Sequence, residues 1–436
     1  MSASEPAVSD QVIGRLASEL GRGAVATDAA TREAHAVDGV VPRAVCSPGS
    51  PEQIASVLRL CGEAGAAVAP WGGGTMMALG NIPHRLDVVV RTAPLAALRE
   101  HDDANLTATM GAGLTLSALQ GVLAERGQFL PFDPPQPDRA TIGGIVAAAA
   151  NGPRRMLYGG VRDLVIGMKM VLATGEQIKA GGKVVKNVAG YDMCKLFTGS
   201  LGTLGIITEV TCKVTPLPER SLTVAAHGGT AGAFHLVDAL FASVLQPSAA
   251  AVLAPPVVEA MGLGRRGAVA AVAVEGFTEA VDRHVRDISG MARAAGLSLE
   301  VLAGPGHETL WAAIRDIPLP RPGEAVARVT VPAGAVASVV EELGRIEGAD
   351  RFVAHAGSGT IWVAVEGARA APVFGALTAI AAPHRGHAVL TGAPPGVKRG
   401  LDVWGPAPAA LAIMTEIKRR FDPQRLLNPG RFVAFL

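Results

Sequence analysis

The sequence has few aromatic residues and few cysteines, and the small number and wide spacing of the cysteines argue against an iron–sulfur cluster. Aromatic residues make up 4% of the 436 residues. The cysteines are Cys46, Cys61, Cys194 and Cys212, and no two of them form a CxxC pair. Because iron–sulfur clusters are ligated by closely spaced thiolates, we expect no such cluster here. All four cysteines lie in or beside apolar sequence, which is typical of buried, reduced thiols.

Long apolar runs and runs of one charge are also absent. The longest apolar run, TIGGIVAAAA, is far shorter than the roughly 18 to 20 residues that span a bilayer. Lysine and arginine number 39 against 38 acids, without a basic run that could follow a phosphate backbone. The first residues, MSASEPAVSD, lack the basic and apolar regions of a signal peptide. We therefore expect a cytoplasmic protein with no transmembrane segment and no nucleic-acid partner.

Glycine and proline are abundant, with 53 and 30 residues. Such a composition is typical of an enzyme in which many tight turns bring backbone close to a ligand. The length exceeds that of one ordinary core, so two or three domains are expected. The segment TPLPERS at 215–221 breaks the pattern and predicts a domain boundary.

Ahead of that boundary the sequence predicts a β-α-β unit. A short strand is followed by Ser50-Pro51, a helix start, and by apolar residues at helical spacing. A glycine loop, PWGGGTMMALG, follows the second strand at residues 70–80. Without Cβ atoms its backbone N–H groups can approach an anion, although a simple turn would have the same composition. The loop is neither a Walker A sequence nor a GxGxxG motif.

Two further glycine segments follow. ATIGGIVAAAANG, at residues 140–152, predicts either a backbone surface for a flat ligand or a tightly packed helix. GYDMCKLFTGSLGTLGIITEV, at 190–210, places Gly199, Gly202 and Gly205 directly before a strand. The loop at residues 70–80 and the segment at 140–152 are both suited to accept an anion. Two such loops in one half of the chain indicate a dinucleotide ligand.

Together these three blocks resemble the FAD-binding domain of the vanillyl-alcohol oxidase family, also called the p-cresol methylhydroxylase (PCMH) type. The resemblance covers residues 35–218 and the closing RRFDPQRLLNPGRF. It implies an α+β fold, in which a two-subdomain PCMH-type FAD-binding domain carries an α+β cap domain. The expected divisions are an N-terminal segment (1–34), the FAD-binding domain (35–218), the cap (219–398) and a C-terminal segment returning to the FAD domain (399–436).

The resemblance also implies which residues bind FAD. The first loop would hold the pyrophosphate, and the other blocks would line the rest of the cofactor. No histidine occurs between Pro70 and Gly80, where covalent members often attach the flavin, so non-covalent FAD is expected. The implied cofactor-binding residues are Pro70, Gly72, Gly73, Gly74, Thr75, Met76, Thr141, Gly143, Gly144, Asn151, Gly152 and Ile206.

The cap contains HAGSGTIWV, a predicted hairpin at residues 355–363. It resembles the HAGDGNLH metal motif of the family's D-2-hydroxyacid dehydrogenases, but Trp362 stands where the second histidine would be. The later GEHG segment, which supplies the family's base, is replaced by GAPPG, with Ala393-Pro394-Pro395 where Glu-His-Gly would be expected. We therefore expect no metal site, a structural role for His355, and no identifiable catalytic residue in this chain.

Residues 183–210, KVVKNVAGYDMCKLFTGSLGTLGIITEV, resemble the FAD-binding E subunits of bacterial glycolate oxidases, including Leu201. That resemblance implies a complex oxidising glycolate to glyoxylate, in which a catalytic flavin subunit and an iron–sulfur subunit are partners. Attachment to the inner membrane would then occur only through those partners. The alternative is a self-sufficient FAD-dependent dehydrogenase for a small D-2-hydroxyacid of the D-lactate type. A scaffold that has lost FAD is a third hypothesis, against which the retained glycines argue.

Overall fold

A computed structural model describes residues 9–183, 190–263 and 267–436 of the chain. Residues 184–189, part of the segment that resembles the glycolate oxidase subunits, lie outside the described residues. Helices and strands are mixed throughout, so the α+β class is confirmed. Within the described ranges, no helix is both long and apolar enough to cross a membrane.

The N-terminal part of the chain contains three sheets. Its strands are β1 (Val25–Ala26), β2 (Ala44–Cys46), β3 (Val68–Trp71), β4 (Val88–Arg91), β5 (Leu98–Asp102), β6 (Thr107–Gly111), β7 (Gln128–Phe129), β8 (Val165–Leu172), β9 (Gln177–Gly181), β10 (Gly205–Lys213) and β11 (Thr215–Pro216). Its helices are α1 (Asp10–Leu20), α2 (Ala29–Ala34), α3 (Pro51–Glu63), α4 (Leu116–Ala124), α5 (Ile142–Ala148), α6 (Arg155–Tyr158), α7 (Val161–Leu164) and α8 (Met193–Phe197). The strand orders are β1-β2-β4-β3, β5-β6-β10-β8-β9 and β11-β7.

The predicted β-α-β unit is confirmed in the first sheet. The Ser50 side chain accepts a hydrogen bond from the Gln53 amide, and Pro51 occupies the first turn of α3. The apolar stripe of α3 is buried against this sheet. Because β3 and β4 pair in parallel, the loop after β3 leaves the sheet at the carboxyl end of its strands.

The sequence LVIGMKMVLATGEQIKAG, at residues 164–181, predicts a strand, a turn at Thr174-Gly175 and a second strand. The second sheet confirms this hairpin and the strand predicted after the third glycine block. β8 and β9 form an antiparallel hairpin around Thr174-Gly175, and β10 begins at Gly205, directly after the predicted glycines. Helix α5 packs so closely on the end of β6 that a Cβ on Gly143 would lie 2.6 Å from the Ala112 Cβ. The ATIGG segment is therefore a tightly packed helix.

The strands between residues 220 and 392 form one large antiparallel sheet, called the cap sheet below. Its strands are β12 (Arg220–Gly228), β13 (Ala249–Leu253), β14 (Ala268–Gly276), β15 (Ser298–Ala303), β16 (Glu324–Thr330), β17 (Phe352–His355), β18 (Thr360–Glu366) and β19 (His387–Gly392), in the order β15-β12-β14-β13-β17-β18-β16-β19. The helices are α9 (Thr230–Phe241), α10 (Pro255–Ala260), α11 (Thr278–Ala294), α12 (Gly304–Asp316), α13 (Val336–Leu343), α14 (Ala370–Ala381), α15 (Pro395–Lys398) and α16 (Leu411–Phe421).

The predicted hairpin of HAGSGTIWV is confirmed as β17 and β18, with His355 opposite Thr360. Gly359, at the turn, has a φ of +65°, a conformation that glycine adopts without a Cβ penalty. One face of the cap sheet lies under α9, α11, α13 and α14 in a continuous apolar core. The other face turns toward the N-terminal domains, where the Met156 side chain of α6 packs directly on Gly357.

The C-terminal segment returns to β3. The Val68 amide donates to the Leu426 carbonyl, and the Asn428 amide donates to the Val68 carbonyl. Lys418 and Asp422, both buried, form an ion pair of 2.6 Å, and the Lys418 ammonium also donates to the carbonyls of Thr203 and Leu427. This buried pair connects the C-terminal segment with the third glycine block.

Candidate cofactor site

A cleft of about 720 Å³ lies between the glycine loop after β3 and helix α5. Ten of the twelve predicted cofactor residues line it, namely Pro70, Gly72, Gly73, Gly74, Thr75, Met76, Thr141, Gly143, Gly144 and Ile206. The structure therefore brings the three glycine blocks of the sequence together around one space.

The first loop and the segment before α5 are in direct contact. A Cβ on Gly72 would overlap the Thr141 hydroxyl, and one on Gly73 would overlap the Arg139 carbonyl. The Arg139 guanidinium in turn donates to the Gly73 carbonyl at 3.2 Å. These glycines are thus required for the packing of one loop on the other, in addition to the close approach of a ligand.

The far end of the first loop is held by two buried cations. The Arg431 guanidinium donates to the carbonyls of Met77 and Leu79. The Lys398 ammonium donates to the carbonyls of Ala78 and Gly80 and forms an ion pair of 2.9 Å with Asp38. With four consecutive carbonyls fixed in this way, the loop has a defined conformation before any ligand binds.

Four successive backbone amides of the same loop have no partner among the described residues. No hydrogen bond within the described part of the chain uses the N–H groups of Gly73, Gly74, Thr75 or Met76. Successive free amides in a turn form an anion-binding concavity. The loop is therefore suited to a phosphate group.

Asn428 and Arg431, both from the NPGRF segment, also line the cleft, although sequence reasoning did not single them out. Both are 3% exposed. The Asn428 Oδ1 and the Arg431 Nε are enclosed and have no hydrogen-bond partner within the described residues. Burial lowers the pKa of Arg431 to about 10. Asn428 and Arg431 thus add a polar and a charged residue to the lining of the cleft.

Asn151 and Gly152 are not among the residues that line the cleft. Asn151 uses its side chain within the fold, where Oδ1 accepts from the Val161 amide and Nδ2 donates to the Ala149 carbonyl. The Gly152 amide donates to Asp133. The structure thus places both residues in a turn beyond α5, and their predicted contact with the cofactor stays a prediction.

The residues present fit FAD. Free loop amides and the Arg431 guanidinium match a pyrophosphate, while the apolar Ile206 and the backbone of α5 suit a flat ring system. Among the described residues lining the cleft there is no histidine, cysteine or tyrosine that could bond covalently to the flavin. When bound, FAD supplies a two-electron acceptor.

The cap hairpin does not bring metal ligands together. His355 is 4% exposed, and burial lowers its pKa to about 4. Across residues 9–183, 190–263 and 267–436 there is no group of three or more histidines, cysteines, aspartates or glutamates placed to hold a metal. All four cysteines are buried free thiols, as expected, and burial raises the pKa of each.

A second, polar cleft of about 650 Å³ lies between α12 and the turn beyond α5. Its titratable lining residues are Asp133, Arg154, Glu275, His307, Glu308 and Arg315. The Asp133 carboxylate accepts from the amides of Gly152 and Arg154, and burial raises its pKa to about 7. This cleft therefore brings several potential acid–base groups together.

Sequence comparison identifies relatives that act on 2-hydroxyacids. A profile for the FAD binding domain matches residues 42–181. The chain is 30% identical over 427 residues to glycolate oxidase subunit GlcD of Bacillus subtilis, covering 90% of this chain and 89% of that protein. It is 42% identical over 125 residues to glycolate oxidase subunit GlcE of Escherichia coli, covering 28% of this chain and 36% of that protein. It is also 37% identical over 193 residues to D-lactate dehydrogenase of Archaeoglobus fulgidus, covering 43% of each.

Comparison with solved structures confirms the predicted fold. p-Cresol methylhydroxylase superposes with a TM-score of 0.76 at 16% identity, over 97% of this chain and 96% of that one. Alkyldihydroxyacetonephosphate synthase superposes with a TM-score of 0.73 at 19% identity, over 99% of this chain and 86% of that one. With this PCMH-type fold, the matched FAD domain and a relative aligned over nine-tenths of its length, the chain belongs to the family of FAD-dependent 2-hydroxyacid oxidoreductases.

Proposed function

We propose that this chain is an FAD-binding subunit of a glycolate oxidase assembly, which oxidises glycolate to glyoxylate. The observation that carries the proposal is that the described residues include a cofactor cleft but lack the family's metal ligand and base. Ten of the predicted cofactor residues line one cleft, whereas the hairpin that resembles the metal motif has Trp362 in place of a ligand, and the later segment has Pro394 in place of the histidine base. The catalytic base and metal would then belong to a catalytic flavin subunit, and an iron–sulfur subunit would carry electrons onward.

The chain's own residues would bind and orient the flavin. The amides of Gly73 to Met76 would donate to the pyrophosphate, and Arg431 in the cleft lining would add a positive charge. Ile206 and the α5 backbone at Gly143 and Gly144 would pack against the rest of the cofactor. The flavin would be held non-covalently.

The local match to GlcE supports the subunit role, because it is the higher of the two identities to glycolate oxidase subunits. It covers about a third of that protein, so the partners, the electron acceptor and glycolate itself are part of the proposal.

The alternative is a self-sufficient D-2-hydroxyacid dehydrogenase of the D-lactate type. The near full-length alignment with GlcD favours it. So does the polar cleft, which His307, Arg154 and Arg315 line together. Burial lowers the pKa of His307, so its imidazole is neutral at pH 7.

Turnover by the isolated chain distinguishes the subunit role from the self-sufficient dehydrogenase. The purified chain would be incubated with glycolate or D-lactate and a dye acceptor, alone and after co-expression with the neighbouring subunits of its native host. The proposal predicts a yellow protein with negligible turnover alone and glycolate-dependent dye reduction in the assembly. Robust turnover by the chain alone would reject the subunit role and favour the alternative.

A further inference from the structure

Helix α16 begins with an apolar run that no core of the protein covers. Its first four residues, LAIM at 411–414, are all apolar, and Ile413 is 66% exposed. None of the four belongs to the apolar cores that the described residues form. Ile417 and Phe421, farther along the same helix, do pack against the core of the second sheet. A run of exposed apolar residues is unfavourable in water and indicates a contact surface.

An open cleft of about 630 Å³, called the α16 cleft below, lies beside this run. Ile413 lies one turn before Ile417, which lines the cleft, so the two side chains share a face of the helix. Lys418 also lines the cleft, but its ammonium already donates to Asp422 and to two backbone carbonyls. The apolar side chains of the lining are Leu196, Leu204, Met414, Ile417, Phe432 and Leu436. The run and the cleft thus form one continuous apolar surface.

The α16 cleft and the cofactor cleft share one wall, formed by residues 199–205. Leu201 and Gly202 of this segment line the cofactor cleft, whereas Gly199 and Thr203 line the α16 cleft. Lys418 fixes the segment from the side of α16, because its ammonium donates to the Thr203 carbonyl. A molecule bound in the α16 cleft would therefore lie one polypeptide segment away from the cofactor cleft.

Positive charge flanks the apolar surface. The Arg419 and Arg420 side chains, 69% and 74% exposed, share a single carboxylate, that of Glu416. Arg425, exposed after the end of the helix, takes part in neither of these ion pairs nor in that of Lys418. Burial lowers the pKa of Lys418, and the nearby charge of Arg425 lowers it further. Three exposed arginines against one glutamate leave an excess of positive charge here, so an acidic surface would be complementary.

We propose that the apolar run of α16 and the α16 cleft bind another subunit of the assembly, through an apolar side chain flanked by acidic residues. The apolar side chain enters the cleft, and the acidic residues face Arg419, Arg420 and Arg425. A second copy of this chain is a poorer match, because a symmetric dimer would bring two copies of the same positive surface together. This inference rests on the proposed function, since it requires that the chain has partner subunits.

Co-expression of the tagged full-length chain with the neighbouring subunits of its native host tests this surface. Co-purified subunits would be quantified, and mass photometry would give the dissociation constant of the complex. Ile413→Glu places a charge in the apolar run, at the third residue of α16, where an acidic side chain favours the helix. Arg425→Glu reverses one flanking charge. Val244→Glu is the matched control, because Val244 is an apolar residue of the cap that is 82% exposed.

We expect the wild-type chain and Val244→Glu to co-purify with equal amounts of the partner subunits. Ile413→Glu should weaken the complex about tenfold or more, because a charge replaces an apolar contact at the interface. Arg425→Glu should weaken it about two- to tenfold at low salt and less at high salt, since salt screens exposed charges. Without partners, all three variants should keep the wild-type Tm, because the substituted side chains are exposed.

The inference is overturned if Ile413→Glu or Arg425→Glu binds the partner subunits as tightly as the wild type at low salt, or if Val244→Glu weakens the complex as much as they do. It is also overturned if the wild-type chain alone forms a dimer that Ile413→Glu dissociates, since the surface would then bind a second copy. A wild-type chain that co-purifies with no neighbouring subunit would instead remove the proposed function itself, a result distinct from the failure of any variant.

Discussion

Substitution of Gly73 by alanine tests the contact on which the cofactor site depends. The added Cβ would overlap the Arg139 carbonyl, a backbone atom that cannot swing away as a side chain can. Either the first loop moves into the cleft or the 139–141 segment retreats from it. Overpacking of this kind costs about 1 to 3 kcal/mol. Because the strained elements form the two sides of the site, that cost should appear in FAD affinity as a decrease of roughly 5- to 150-fold.

FAD affinity would be measured by titrating the apoprotein and following the quenching of flavin fluorescence. Gly290→Ala is the matched control, since a Cβ on Gly290 in α11 meets nothing within 4 Å. That variant should bind FAD like the wild type and be slightly more stable, because alanine favours a helix. Wild-type affinity in Gly73→Ala, with an unchanged urea midpoint, would refute the idea that these two loops bind FAD through their mutual packing.

Three further predictions concern buried polar groups. Arg431→Met leaves the carbonyls of Met77 and Leu79 without a donor, so FAD affinity should fall about tenfold or more; an unchanged affinity in the same titration would contradict the assigned role. Lys418→Met leaves Asp422 buried without its cation and should lower the free energy of unfolding by about 3 to 5 kcal/mol, measured by urea denaturation; a loss below about 1 kcal/mol would show that the pair is not needed. The raised pKa of Asp133, about 7, means that the folded state retains a proton which the unfolded state releases near pH 4. Stability from this group should therefore decline as pH rises from about 4 to 7, by at most about 1.4 kcal/mol per pH unit, and urea midpoints of Asp133→Asn should show a shallower decline; parallel pH profiles would refute the shift.

Local sequence chemistry predicted a large part of the fold. The Ser50-Pro51 cap, the turn at Thr174-Gly175 and the Gly359 turn each depend on a few adjacent residues, and the structure confirms the elements they begin or connect. The cap was harder to predict. β13 is the alanine-rich AAAVL, and β15 carries Glu300 among its apolar residues, so neither has a clear strand pattern on its own. Their pairing with β12 and β14 depends on the sheet as a whole.

In the candidate site, too, features set by adjacent residues were predicted and features set by long-range contacts were not. Glycine-rich sequence indicated the loops, because flexibility and lack of side chains are properties of single residues. The reason for Gly72 and Gly73 was only partly foreseen, since their contact with residues 139–141 is long-range. Arg431 was missed because the loop carbonyls to which it donates lie more than 350 residues earlier in the chain. Asn428 was missed because its side chain donates to the Leu201 carbonyl, 227 residues earlier.

A crystal structure of the FAD-bound chain tests the central claim most directly. The account predicts the cofactor's pyrophosphate within hydrogen-bonding distance of the Gly73 to Met76 amides, with Thr141 and Gly143 on the opposite side and no covalent bond to the flavin. A pyrophosphate bound away from these amides, or a flavin outside the cleft between the two loops, would contradict it.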